Sequence, residues 1–208
     1  YSSMNAVNVL NCVKNHSSVA IAQFNHYITQ RVTTPNDASF GNQWALNNTG
    51  QTGGTPDADI DAPEAWDLTT SGLTAAGDTI VIAIVDGGFY LNHPDIKFWK
   101  NYDEIPANNI DDDNNGYIDD VNGWNGYTNN GNITTDNHGT HCSGIAGARG
   151  NNSIGVSGVN WNVQIMGVQG SSGTELIVLR AYGYVLKQRR MYDQSNGQFG
   201  AFVVVTSS

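Results

Sequence analysis

The sequence predicts an α/β protein: a doubly wound parallel sheet with helices on both faces, unfinished at its C-terminal end. Three observations lead there. Ile80-Val81-Ile82-Ala83-Ile84-Val85 is an unbroken apolar run closed by Asp86, which is how a strand buried on both faces reads. Residues 163–168 and 202–206 are two further runs that read as strands of the same sheet. Between them, residues 174–190 carry Leu176, Leu179, Val185 and Leu186 at roughly helical spacing.

Taken in order, the chain opens differently. Ala6, Val7, Val9, Leu10 and Val13 form a short apolar stripe at helical spacing. Residues 19–24 then read as a strand, ending at Asn25-His26. A helix and one strand are too little to fold alone, so residues 1–34 are expected to be the remnant of a small α+β unit. Thr33-Thr34-Pro35-Asn36-Asp37 is a linker signal, and residues 35–208 form the main domain. Residues 43–79 are polar and Gly-rich, with a short helix expected at Ala62-Pro63-Glu64-Ala65-Trp66, capped by Asp61. A helix rich in small residues is expected from His138 through Gly147, able to lie close against a sheet. Lys187, Gln188, Arg189 and Arg190 should form the solvated last turn of the helix before the final strand.

Composition excludes several classes. The formal charge is -10, which argues against nucleic-acid binding. No apolar run approaches the ~20 residues of a membrane helix. The sequence begins at Tyr1, and Met4 is not followed by a basic and then apolar stretch, so a longer precursor is expected. Cys12 and Cys142, far apart in sequence, could pair but do not amount to a disulfide framework.

Two features carry chemistry. Asp86 falls at the carboxyl end of its strand, the edge where open α/β sheets bind ligands. His138 heads the small-residue helix. A carboxylate paired with an imidazole fixes its tautomer and lets it take a proton from a hydroxyl. Separately, Asp111, Asp113 and Asn115 occupy the first, third and fifth positions of a loop with Gly116 sixth. That opens like an EF-hand calcium loop. Tyr117 would offer its carbonyl, and Asp119 or Asp120 would close the shell, because Asn122 stands where the bidentate Glu belongs. Hard oxygen donors favour Ca2+ over Zn2+. The competing reading is a solvated acidic loop.

Ile82-Ala83-Ile84-Val85-Asp86-Gly87-Gly88 and His138-Gly139-Thr140-His141-Cys142-Ser143-Gly144 resemble the aspartate and histidine motifs of the subtilisin-like (subtilase) serine endopeptidases. Gly87 departs from the family's usual Thr or Ser. The resemblance implies that Asp86 and His138 are catalytic, that the fold is subtilisin-like, and that polypeptides are the substrates. It implies that residues 1–34 are the end of an inhibitory propeptide, with self-cleavage near Arg31, and that the protein is secreted. The family's Gly-Thr-Ser nucleophile motif and oxyanion Asn do not occur in these residues, so a fragment inactive by itself is expected. The resemblance also implies a second Ca2+ site, made by Asp37, Asp95 and Asn152 with carbonyls of Gly150, Ile154 and Val156. Ser171, Ser172 and Gly173 would present a substrate-pairing edge. A thiol at Cys142 is expected to act as a small apolar group. Two rivals stand beside this reading: a non-catalytic calcium-binding module of the same fold, and a metal-dependent hydrolase using His138 and His141.

Overall fold

A computed structural model describes residues 5–24 and 32–208. The chain divides into two compact units, Tyr1–Arg31 and Val32–Ser208. In the first, helix α1 spans Ala6–Lys14, and the Asn5 side chain caps it by accepting from the Val7 N–H. Its apolar stripe is not buried among the described residues. Residues 19–24 do not form the expected strand. A strand exists only where a neighbour takes up its N–H and C=O groups, and no described residue forms a ladder with this run. Asn25, His26 and Arg31 lie outside the described residues.

In the second unit the expected sheet is present. Strands β1 (Val81–Asp86), β2 (Trp124–Asn125), β3 (Gln164–Gln169) and β4 (Val203–Ser207) pair in the order β2-β3-β1-β4, every pair parallel. All six residues of β1 are buried, as an unbroken apolar run requires. Register sets Asp86 beside Gln169, and Gln169 beside Asn125. Three buried polar residues thus lie abreast at the carboxyl ends of the strands. Strand β2 was not expected, because two residues leave no periodicity to read.

Helices cover both faces. Helix α3 (Asn137–Gly147) packs Cys142 and Ala146 against Ile82, Ile84 and Ile165. Gly147 permits this contact, since a Cβ there would stand 2.7 Å from Val163 Cγ2 and 2.9 Å from Ile165 Cδ1. Helix α4 (Glu175–Ser195) packs Ala181, Tyr184 and Val185 against Val81, Ala83 and Val85 on the other face. This corrects the expected face of α4. Leu176, Leu179 and Leu186 are exposed, while Gln188 is fully buried. The true stripe runs Ala181, Tyr184, Val185, Gln188, which keeps i, i+3, i+4, i+7 spacing. A small residue and a buried amide within it hid the pattern from a search for leucines. The helix also outlasts residue 190, so Lys187–Arg190 is not its last turn. Arg189 instead stacks on Phe202 and donates to the Val203 carbonyl.

Helix α2 (Ala62–Trp66) forms as expected, but Asp61 lies in the left-handed region and its side chain makes no cap hydrogen bond. Phe40, Leu46, Ala62, Trp66 and Trp161 form a small separate core. No described helix is long and apolar enough to cross a membrane. Cys12 and Cys142 are both free thiols.

Candidate active site

The site is built where β1 ends and α3 begins. Asp86 is 8% exposed. Its Oδ1 accepts from the Gly87 N–H at 2.6 Å, and its Oδ2 lies 2.8 Å from His138 Nδ1. An ionised carboxylate only accepts, so Nδ1 carries the proton and Nε2 keeps its lone pair. The His138 side chain is 77% exposed, and Nε2 is left to meet a substrate or a nucleophile. The start of α3 is fixed by Asp136, whose side chain accepts from the His138 N–H.

Close backbone approach holds the pair together. A Cβ on Gly139 would stand 2.3 Å from the Gly88 carbonyl oxygen and 2.9 Å from Asp86 Cβ. A Cβ on Gly88 would stand 2.4 Å from the Thr134 carbonyl oxygen. Gln169 adds a polar bridge. Its amide donates to the Gly87 carbonyl and to Thr134 Oγ1, and its oxygen accepts from the Thr134 N–H. Gln169 ties the loop after β1 to the loop before α3. Sequence reasoning missed it: only register against Asp86 gives a glutamine at a strand end this role.

Cys142 Sγ lies 3.9 Å from His138 Nδ1. Burial, and then the Asp86 charge, push its thiol pKa up, so it remains protonated and serves as packing. His141 does not join His138. It lines a cavity of about 640 Å3 with Tyr90, His93 and Ile145, and the three-residue groups of metal-ligating side chains among the described residues do not include it. Among the described residues no group of metal-ligating side chains joins His138 with His141.

The acidic loop folds around a residue that sequence reasoning also missed. Glu104 is buried, and its carboxylate accepts from the N–H groups of Asp112, Asp113 and Asp119. One ligand atom each of Glu104, Asp111 and Asp113 lie within 4.8 Å of one another. Burial raises the pKa of Glu104 and of Asp113. No spacing rule links Glu104 to the loop, and only folding brings it in. Asp111 accepts from the N–H groups of Asn115 and Gly116. Asn115 donates to Asp113 and Asp120. Asp119 turns elsewhere, its carboxylate accepting from the N–H groups of Asn108 and Asn109. Asp120 points into the core, where Asn101, Asn115 and Gln188 donate to it, and burial pushes its pKa up to about 6. The Tyr117 ring packs edge-on against Trp124 and Tyr184.

Asp37, Asp95 and Asn152 come together from three distant places. Asp37 accepts from the Asn151 and Asn152 N–H groups and from the Ser157 hydroxyl. Asp95 accepts from the Asn152 amide and the Val156 N–H. Gly150, Ile154 and Val156 belong to this same loop. Both carboxylates are buried, and no basic side chain pairs with either among the described residues. A Cβ on Gly155 would stand 2.4 Å from Asp95 Oδ2, so the loop closes tightly over this carboxylate. Ser171, Ser172 and Gly173 form an exposed bend after β3. Their backbone groups make no hydrogen bond among the described residues, and Ser172 Oγ meets the Tyr127 hydroxyl at 3.0 Å.

Comparison with known proteins accords with this geometry. The family model described as "Subtilase family" matches residues 77–207. Subtilisin-like protease 1 of Plasmodium berghei (strain Anka) is 50% identical over 91 residues, covering 42% of this chain and 15% of that protein. Neuroendocrine convertase 2 of Homo sapiens is 35% identical over 135 residues, 64% of this chain and 18% of that one. The chain thus spans under a fifth of the length of these relatives. In fold, it is similar to a serine protease of Aeromonas sobria solved in complex with a chaperone, with a TM-score of 0.51 at 23% identity. That match covers 72% of this chain and 23% of the other.

Proposed function

Because the chain belongs to the subtilase family, we propose that it supplies the aspartate and histidine of a serine endopeptidase. The carrying observation is the 2.8 Å contact between Asp86 Oδ2 and His138 Nδ1, with the imidazole exposed beyond it. In the proposed cycle His138 Nε2 takes the proton from a serine hydroxyl as that oxygen attacks the peptide carbonyl. It then returns the proton to the leaving amine. Asp86 keeps the proton on Nδ1 and stabilises the imidazolium. No serine hydroxyl bonds His138 among the described residues, and we assign the nucleophile to a part of the protein outside these 208 residues.

The proposal extends to calcium. Asp37, Asp95 and Asn152, with carbonyls of Gly150, Ile154 and Val156, would hold one Ca2+. Asp111, Asp113 and Asn115, joined by Glu104, would hold another. Asp37 and Asp95 in the first and Glu104 in the second are buried with no basic partner among the described residues, which supports both, since a cation offsets the cost of their burial. Bound Ca2+ would neutralise these carboxylates and fix the loops beside β1 and β3. Secretion, polypeptide substrates paired along Ser171–Gly173, and inhibition by residues 1–34 complete the reading. The test is the intact mass of the source protein before and after a fluorophosphonate probe. One adduct, lost in His138→Ala, is expected. A wild-type protein that takes no adduct overturns the catalytic reading.

A further inference from the structure

Helix α3 carries two donors of different kinds on one face. His138 and Cys142 are spaced i, i+4, so their side chains stand one turn apart, next to the end of β1. Cys142 Sγ lies 3.9 Å from His138 Nδ1, and Asp86 Oδ2 lies 2.8 Å from the same nitrogen. Thiol, imidazole and carboxylate each place one ligating atom within 4.8 Å of the others. His138 is exposed and Cys142 half-buried, with Asp86 buried beneath them. The other such group among the described residues, Glu104, Asp111 and Asp113, is all carboxylate. Only the first mixes sulfur, nitrogen and oxygen.

This donor set selects its cation. Zn2+ takes Cys sulfur at about 2.3 Å, and His nitrogen and carboxylate oxygen at about 2.0–2.2 Å, in a tetrahedron. Neighbouring ligand atoms then stand roughly 3.4–3.6 Å apart. The observed 2.8 and 3.9 Å bracket that spacing, and a shift of the exposed His138 ring by about half an ångström reaches it. Asp86 keeps Oδ1 on the Gly87 N–H and has Oδ2 to offer. A water would fill the fourth position, as in other three-ligand zinc sites. Soft sulfur suits Zn2+ and its heavier relatives and not Ca2+ or Mg2+, which sets this trio apart from the proposed calcium loops.

We infer that Asp86, His138 and Cys142 form a site for a thiophilic divalent cation of the zinc type, and that filling it switches off the general base. The second half of this inference rests on the peptidase reading; the first does not. Binding forms a metal–sulfur bond and releases the Cys142 thiol proton to solvent. It also forms a metal–nitrogen bond at Nδ1, whose proton leaves, while the neutral imidazole takes up a proton at Nε2. One proton is therefore released per cation. Nε2 is then a donor and cannot take the proton of a serine hydroxyl. Asp86 Oδ2, held by the metal, no longer fixes the tautomer that catalysis needs.

The test uses the source protein in saturating Ca2+, so that sites made of oxygen donors are filled. Cd2+ is titrated first and read by the ultraviolet thiolate-to-cadmium charge-transfer band, which a carboxylate site cannot give. A saturable band is expected. It should persist in Cys12→Ala, vanish in Cys142→Ala, and need at least about tenfold more Cd2+ in His138→Ala, since even the partners behind a metal ligand are worth about 10–100-fold. Near-ultraviolet circular dichroism reports folding, and Cys142→Val, which refills the packing, stands in if the Ala variant unfolds. Zn2+ is then added during fluorophosphonate labelling. Labelling should fall saturably and return with a zinc-selective chelator, whereas the Cys142 variant, referred to its own zinc-free rate, should not respond. A wild-type protein without a Cys142-dependent band overturns the site. Labelling that Zn2+ leaves unchanged, or slows equally in the Cys142 variant, overturns the switch. A cadmium band in a protein that never labels, even without zinc, removes the peptidase reading and the switch with it, and leaves the cation site standing.

Discussion

Replacing Gly139 by Ala tests how the Asp86–His138 pair is held. The added Cβ would stand 2.3 Å from the Gly88 carbonyl oxygen and 2.9 Å from Asp86 Cβ. Ordinary carbon–oxygen contact begins at about 3.3 Å, so the start of α3 must retreat by roughly 1 Å. Neither obstacle is the end of a flexible side chain, so the neighbours cannot simply swing away. The same retreat carries His138 from 2.8 Å to beyond the ~3.2 Å limit of a useful hydrogen bond. Misplacement of about 1 Å costs on the order of 10²-fold in rate, and overpacking costs about 1–3 kcal/mol in stability. Gly144→Ala is the control on the same helix. Its nearest neighbour would be Ile96 Cδ1 at 3.9 Å, so relief of the glycine penalty should stabilise by about 1 kcal/mol. The assays are the second-order rate of fluorophosphonate labelling and the urea midpoint of the source protein. A Gly139→Ala protein that reacts at the parental rate, or a Gly144→Ala protein that loses as much, refutes the account of close backbone approach.

Other outcomes follow from the same contacts. Asp86→Asn should lower peptidase turnover about 10⁴-fold, the size of loss seen for triad aspartates, with little change in KM, as steady-state kinetics would show. Gly87→Ser should leave the urea midpoint and labelling rate within about twofold of the parent, since its Cβ would meet Asp136 Oδ2 at an ordinary 3.5 Å and changes that displace no neighbour cost about 0.5 kcal/mol or less. Calcium at a thousandfold excess over its Kd should add about 4 kcal/mol of stability. Asp37→Asn should remove most of that gain, as calorimetry with and without chelator would report. Stability in chelator should also depend on Asp120, whose carboxyl is pushed up to about 6 from 3.8 by burial. The folded state holds the proton more tightly than the unfolded chain. The contribution is therefore full below pH 3.8 and lost as pH rises through about 6. It amounts to about 3 kcal/mol, and urea midpoints that rise with pH across this window would contradict it.

Strand β1 was legible because burial on both faces writes itself as an unbroken apolar run, and β3 was placed to within a residue although Gln164 and Gly167 interrupt its run. Asp86 and His138 were legible because each ends or begins an element, and their joint motif leaves little freedom. Glu104 and Gln169 were not. Each acts by accepting or bridging backbone groups that are distant in sequence, and nothing in the local pattern of a glutamate or glutamine announces that. The face of α4 was misread for a related reason. Leu176, Leu179 and Leu186 are more apolar than Gln188, yet Gln188 is buried because Asp120 waits there to accept from it. Pairing overrode hydropathy, and pairing is visible only once the chain is folded.

The one departure from the aspartate motif can be weighed by the space around it. Of the three glycines that crowd the pair, Gly88 and Gly139 face carbonyl oxygens at 2.4 and 2.3 Å from where a Cβ would be. Neither can carry a side chain without moving backbone. Gly87 is different: the nearest atom to its Cβ position is Asp136 Oδ2, at 3.5 Å, which is ordinary contact. Its φ is not in the left-handed region either. A hydroxyl-bearing residue fits there, and the glycine that stands in its place leaves the Asp86 bonds intact, because Asp86 takes the backbone N–H of residue 87 and not its side chain. The substitution thus falls at the position where the geometry makes no demand, while both positions that do make one retain glycine.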